Sequence, residues 1–425
     1  MKMLRFIVGL SILPVLWASS LHAIPVGRGE VTLSANASAT YDSNLEGRSN
    51  GTEDYFGTFA PRVSYVRRAG RIEANADVGV SIVRYLDNTE YDAENVSGNV
   101  SIQLSQKSFQ NITASLNAGY VESYDMDPDV NARIKSTSTT FSGQLGLVTG
   151  PRTSFDFNGS YSNSKNDTTL ASDQEILTGG GEFSYRDFLE GTTLILSYNY
   201  TSARSSGDNI LGADLDQTSH HYSLGLSRPL YREVTGRINY GYRALDRSAA
   251  ETTAGVTEDG GTVLSASIDG PFLPPRLFPK IKSHFSIAYS DATSPGINDP
   301  GSKQLTGDLS LSWEARETTT VSIGVDRTQR LAVTDVGVVT TTAYATLTQK
   351  LRYNLSGSAG ANYSWNTYRS IGRSDKTFSG DVGLNYDFAR SWTATSSYRY
   401  QSTASDLPFA DYVRHLAILS LGYTF

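Results

Sequence analysis

The chain closes on HLAILSLGYTF, residues 415–425. Phe425, Tyr423, Leu421, Leu419 and Ala417 share one parity, and Thr424, Gly422 and Ser420 share the other. Successive strand side chains point to opposite faces, so this is a strand with one greasy face and one small or polar face. Ile418 and Leu416 are its lapses. Chain ends are usually frayed and polar; an end that alternates and stops on an aromatic residue reads as part of a sheet. The same grammar recurs from residue 30 onward. TLILSYNY (193–200) sets Leu194, Leu196, Tyr198 and Tyr200 against Ile195, Ser197 and Asn199. YNLSGSAGANYSW (353–365), FSGDVGLNYDF (378–388), LTGDLSLSW (305–313) and HFSIAYS (284–290) repeat it. No comparable stretch carries apolar residues at helical spacing.

The spacers alternate as well. Short ones are RRAGR near 69, TGPR near 150, FLEG near 189, RPLYRE near 230, QKLR near 350 and FARS near 389. Longer ones, rich in Asp, Asn, Ser and Gly, start at 43, 125, 203 and 291. Tight turns on one rim and loops on the other are what an up-and-down barrel produces. The proline-rich GPFLPPRLFPK, 270–280, departs from the pattern and is expected to be a small element on the turn side. Counting hairpins predicts about twenty strands, with eighteen as the neighbouring count, and both termini on the turn rim.

A soluble β-sandwich would show similar single strands, with its apolar face against a second sheet. Three features favour a membrane barrel. The strands are long, against the usual five or six residues of soluble sheets and the ~9–11 that cross a bilayer when tilted. Aromatics sit at strand ends, as in Tyr353 and Trp365, Phe378 and Phe388, Trp392 and Tyr400, where interfacial girdles belong. The chain also ends on Tyr423 and Phe425, the kind of terminal signature by which bacterial barrels are recognised for insertion. The fold class expected is therefore all-β: a closed antiparallel up-and-down transmembrane β-barrel of about 18–20 strands. Its last strand pairs with its first, because unpaired backbone groups in lipid cost several kcal/mol each.

Composition agrees. The 425 residues include 38 Gly, 25 Tyr and no Cys, with a net charge of −7. No disulfide framework is possible, and no basic patch suits nucleic acid. The one continuous apolar run, MKMLRFIVGLSILPVLWASSLHAIP, has the shape of a secretory signal peptide. The domain reading is a signal peptide over 1–23, with cleavage after Ala23 or after Ser20, and a barrel over 24–425. The expected location is the outer membrane of a Gram-negative bacterium, reached by export.

Residues 33–95 add a resemblance. YDSN at 41–44, the P-x-V-S-Y strand from Pro61 to Tyr65 and RYLDN at 84–88 resemble the outer-membrane β-barrel porins of the second type, whose members often accompany exopolysaccharide export genes. The resemblance implies a barrel of about eighteen strands and a role in passing or secreting polysaccharide. It is sharp over about the first 70 mature residues and only architectural beyond them.

Chemistry, if any, belongs on the inward parity. The pore-lining candidates are the acids Glu73, Asp77, Asp156, Glu182, Asp308, Asp326 and Asp381 and the bases Arg62, Arg186, Arg237, Arg243, Arg399 and Arg414, with Asp387 beside them. A barrel of this size leaves a water-filled interior that small polar side chains cannot fill. Mixed signs predict weak ion selectivity, or ion-paired ladders that stiffen the wall. Inward aromatics are expected to be few: Phe56, Tyr344 and Tyr412. No histidine stands in a nucleophile or metal motif, so no enzyme activity, cofactor or metal is expected. His221 and His284 read as hydrated wall positions. DMDPD, 125–129, reads as an exposed acidic loop, since the EF-hand spacing is absent. No long loop reads as an obvious inward-folded plug. The expected partners are outer-membrane lipid and lipopolysaccharide, the barrel-assembly machinery and components of polysaccharide export. The function expected is a water-filled pore; the competing reading is a structural or adhesive barrel with an occluded lumen.

Overall fold

The computed structural model describes residues 24–424 except 69, 105–110, 128, 131, 169–170, 207–214, 248–257, 274–279, 292–303, 332–336, 369–371 and 408–409. Residues 1–23, read as a signal peptide, lie outside the described residues, as do Phe425 and most of the proline-rich turn. In chain order the strands are β1 (Ile24–Val26), β2 (Gly29–Asp42), β3 (Asp54–Arg67), β4 (Ile72–Tyr85), β5 (Ala93–Leu104), β6 (Ile112–Asp127), β7 (Ala132–Val148) and β8 (Thr153–Asn166). They continue as β9 (Asp173–Leu189), β10 (Thr192–Ser206), β11 (Leu215–Tyr231), β12 (Val234–Arg247), β13 (Glu258–Asp269), β14 (Ile281–Ser290) and β15 (Gln304–Arg316). The last are β16 (Thr319–Leu331), β17 (Gly337–Arg352), β18 (Leu355–Tyr368), β19 (Arg373–Ala389), β20 (Trp392–Ser405) and β21 (Tyr412–Thr424).

β2 through β21 form a closed antiparallel barrel of twenty strands. Each pairs with its chain neighbours, and β2 closes the ring on β21 from Ser34↔Thr424 to Asp42↔Leu416. The count of twenty read from the hairpins holds, and the eighteen implied by the resemblance does not. The short β1 folds back on the start of β2, pairing Ile24 with Val31, where β21 does not reach. Closure leaves no long edge exposed to lipid.

Local chemistry sets the two rims. Five connections of two residues each, at 190–191, 232–233, 317–318, 353–354 and 390–391, lie at one end of the barrel, with the start of β2 and the end of β21. Gly191 takes φ +68° there, the left-handed geometry that a tight hairpin needs. The other end carries most of the longer connections, although β5–β6 and β13–β14 are joined at the turn end by 105–111 and 270–280. One connection at the loop end differs from the sequence reading. DMDPD is not an open loop: β6 and β7 stay paired through Asp125↔Ile134 and Asp127↔Ala132, leaving only 128–131 as connection. Polar composition hid the pairing, because alternation in a strand needs no apolar residue once both faces are wet.

The outward face is greasy along each strand, with Leu116, Leu196, Tyr222, Ile238, Val382 and Leu419 open to the surroundings. Trp392 stacks near Tyr423 at 4.5 Å and near Phe388 at 6.2 Å, an aromatic row at the turn rim. On the same face, nearer the loops, the Tyr198 and Tyr398 hydroxyls pair with Nδ1 of His220 and His415 at 2.9 and 2.7 Å. Amphipathic rings with a polar tip suit a membrane–water boundary.

Candidate functional site

The site is the lumen and its mouth at the loop rim. Every pore-lining candidate stands on the parity opposite the greasy face. The wall brings several together. Arg62 Nη1 lies 2.6 Å from Asp77 Oδ2, and Arg237 Nη2 lies 3.0 Å from Glu182 Oε2. Asp381 and Arg399 are register partners, and Glu73 accepts from Gln103 Nε2 at 2.9 Å. Other register neighbours carry like charge: Asp156 opposite Glu182, and Asp308 opposite Asp326. Such pairs repel. Arg237 relieves the first; His284 Nε2, 3.3 Å from Asp308 Oδ2, stands beside the second. His284 also meets Asp269, and Asp308 accepts from Ser286. Of the other wall bases, Arg186 donates its backbone N–H to the Arg152 carbonyl, and Arg243 faces His221 and Gly261 in register.

The mouth is built differently. The connection between β6 and β7 carries Asp129 across it to the far wall. β6 and β16 are ten strands apart in a ring of twenty, which makes them opposite. Asp129 Oδ2 accepts from Arg330 Nη1 at 2.7 Å and Oδ1 from Arg330 Nη2 at 2.8 Å. Tyr368 Oη donates to Oδ1 at 2.7 Å, and Arg373 Nη1 donates to the Asp129 backbone oxygen at 2.7 Å. Arg373 is itself fixed by Asp375, with Nη2 at 2.6 Å from Oδ2, and its guanidinium lies 4.6 Å from the Tyr368 ring centre. Asp129 is 7% exposed and Arg373 6%. The acidic loop read as exposed is therefore buried at its tip, where a short connection, not a long loop, reaches inward. A side chain that reaches the opposite wall must point inward, so these bonds also fix which parity is the lumen.

The rest of the mouth supports this bridge. In the connection after β2, Leu45 is fully buried, and Gly47 takes φ +61°. A Cβ on Gly47 would stand 2.7 Å from the Met126 Cε, so this connection presses directly on the end of β6. Arg133 lies over Tyr85, Tyr91 and Tyr124, with 5.3, 5.0 and 5.3 Å to the ring centres. Tyr91, in the 3-10 turn Thr89–Tyr91, donates to Glu46 Oε1 at 3.1 Å. Burial and that carboxylate push its phenol up to about 12. At the closing seam, Arg414 Nε donates to Asp42 Oδ1 at 2.9 Å, and Asn44 Nδ2 donates to the Val413 oxygen at 3.3 Å. Arg414, on the lumen parity as expected, forms an ion pair with Asp42 that ties β2 to β21.

Residues 297–425 match the family model described as Putative beta-barrel porin 2. This is the family that the sequence resemblance names, matched at the other end of the chain from the residues that carried the resemblance. No curated protein matches. Among solved structures the chain is similar to the ferric-catecholate import receptor Fiu from E. coli K12, with TM-score 0.53 and 10% identity over 92% of this chain and 81% of that one. It is similar to the ferric citrate transporter FecA, with TM-score 0.52 and 10% identity over 92% and 78% of the two chains. The siderophore receptor PirA from Pseudomonas aeruginosa gives 0.50 and 12% over 95% and 81%. At these identities the likeness is one of fold: an outer-membrane β-barrel.

The porin match covers β15 through β21, and so holds Arg330, Tyr368 and Arg373 but not Asp129. Sequence reading did not find Arg330, Tyr368 or Arg373, and it took Asp129 as part of an exposed acidic loop. Local pattern offered one signal. Tyr368 and Tyr85 are aromatics on the wet parity of their strands, where Ser, Asn, Asp and Gly otherwise stand, and both are buried at the mouth. The inward aromatics are thus more than Phe56, Tyr344 and Tyr412, and they gather at the loop rim.

Proposed function

We propose that this outer-membrane barrel is a water-filled pore, bridged at its loop-rim mouth by the Asp129 contact and conducting when that bridge is released. The observation that carries the reading is the lumen wall: small polar residues and charges of both signs run its length, which favours water over a packed core. Purified protein in a planar bilayer is expected to show rare openings, and Asp129→Ala steady ones. Absence of current steps in both proteins would remove the pore.

The finer reading, a conduit for exopolysaccharide export, rests on the family resemblance. Tyr and Trp faces are scarce along the middle of the wall, so such a polymer would pass without being gripped. Unchanged surface polysaccharide after deletion of the gene would refute export and leave the pore standing. Export directed by residues 1–23 and insertion by the barrel-assembly machinery through Tyr423 and Phe425 complete the proposal, with lipid and lipopolysaccharide around the outward face. Deleting Phe425 is expected to lower the folded fraction in the outer membrane. The proposal assigns no reaction, cofactor or metal.

A second reading is a structural or adhesive barrel whose loops bind a surface partner. The bridged mouth favours it, since a molecule that never opens would be built this way. The same current recording separates the two.

A further inference from the structure

We propose that Arg330, Tyr368 and Arg373 form a binding site for carboxylate-bearing solutes, with Asp129 as its resident occupant. The site's geometry supports this independently of whether the lumen conducts. One guanidinium presents two parallel N–H groups to both oxygens of the Asp129 carboxylate, at 2.7 and 2.8 Å. A planar fork of that kind matches a carboxylate. The Tyr368 hydroxyl adds a third donor at 2.7 Å, from a side chain that is 1% exposed. Arg373, fixed by Asp375, offers a fourth donor to the occupant's backbone carbonyl, a neutral oxygen a few bonds from the carboxylate. All three donor residues belong to the far wall, on β16, β18 and β19, while the occupant belongs to the β6–β7 tip. Among the described residues, the donors thus stand on one wall and receive their anion from elsewhere in the chain.

Charge selects the class of ligand. Among the described residues, Arg373 lies against Asp375, and Arg330 is the cation that the Asp129 carboxylate meets. Asp127, two residues away on the tip, accepts from the Asp129 N–H and leaves with the tip. A monoanion thus restores neutrality once Asp129 departs, and a dianion would face Asp375 with charge to spare. The neutral oxygen held by Arg373 favours carboxylates that carry a nearby hydroxyl or ring oxygen, as sugar acids do. A solute of this class, reaching the wall, would replace Asp129 and free the mouth. This consequence rests on the pore reading; the binding site itself does not.

The test uses the full chain in detergent, with folding checked by heat-modifiable gel mobility. Equilibrium dialysis would measure sodium glucuronate, sodium acetate and glucose against wild type, Asp129→Ala and Asp129→Asn. Asp129→Ala is expected to bind glucuronate more tightly than acetate and to ignore glucose. Wild type is expected to be at least about tenfold weaker, because a tethered competitor acts at a millimolar or higher effective concentration. Adding Arg330→Gln to Asp129→Ala should abolish retention. If the folded Asp129→Ala and Asp129→Asn proteins both fail to retain glucuronate, or retain glucose equally well, the site is overturned. Retention without current steps in any variant would overturn the pore and uphold the site; current steps without retention would do the reverse.

Discussion

Tyr353 and Tyr368 bracket one strand, β18. Tyr353, in the two-residue turn before it, is 99% exposed; Tyr368, at its other end, is 1% exposed. Among the described residues the largest fully buried side chains are Tyr368, Leu45, Leu245, Gln217, Val338, Asp42 and Ser172, and all seven lie at the loop rim. The turn rim is finished locally, by hairpins that need only neighbours in sequence. The loop rim is finished by contacts across the ring and across the seam. A barrel does not need such contacts to stay closed, since strand pairing closes it. Their concentration at one mouth marks where the molecule has something other than lipid to exclude.

The largest effect expected from disturbing that difference is at Arg373. Arg373→Ala would leave Asp375, itself 3% exposed, as a buried charge without its guanidinium. Removing one partner of a buried ion pair costs about 3–5 kcal/mol. Urea unfolding followed by tryptophan fluorescence should show a loss of that size; the unchanged midpoint of a surface substitution would mean that the loop rim is not a packed structure. Next comes the span between the rims. Leu196→Arg, on the lipid face of β10, is expected to cost about 2–4 kcal/mol, and Ser197→Arg, whose hydroxyl lies 2.5 Å from that of Ser223 in the lumen, much less. Equal losses at the two positions would reverse the parity on which every inward assignment rests.

What the sequence made legible follows from range. Leu419, Leu421 and Tyr423 declare their face through residues two places away, so strand class, parity and rim polarity were readable from the chain alone. The charged pairs Arg62–Asp77 and Glu182–Arg237 were legible as wall positions, though not as pairs. Asp129 could not be read. Its partners are 201, 239 and 244 residues distant, and a tract as acidic as DMDPD looks solvated until a guanidinium on the opposite wall is known. Arg414 was legible as a wall position but not as an ion pair, since only the register of the closing seam sets Asp42 against it.

The sharpest use of the comparison is the same substitution at both ends of β18. Tyr368→Phe keeps the ring beneath Arg373 and removes only the hydroxyl that donates to Asp129. A hydrogen bond to a charged group contributes about 1.5–3 kcal/mol, so the unfolding midpoint should fall by a smaller amount than for Arg373→Ala. The bridge should also release more often, giving longer openings in a bilayer. Tyr353→Phe removes a hydroxyl that stands in solvent at the turn rim and should change neither measurement. The pair separates two accounts of the buried mouth. If burial there is only crowding of side chains, two Tyr→Phe changes that preserve volume would be equally silent. If the mouth is held by directed bonds to Asp129, Tyr368→Phe alone would register, and the openings would lengthen without any change in the amplitude set by the lumen wall.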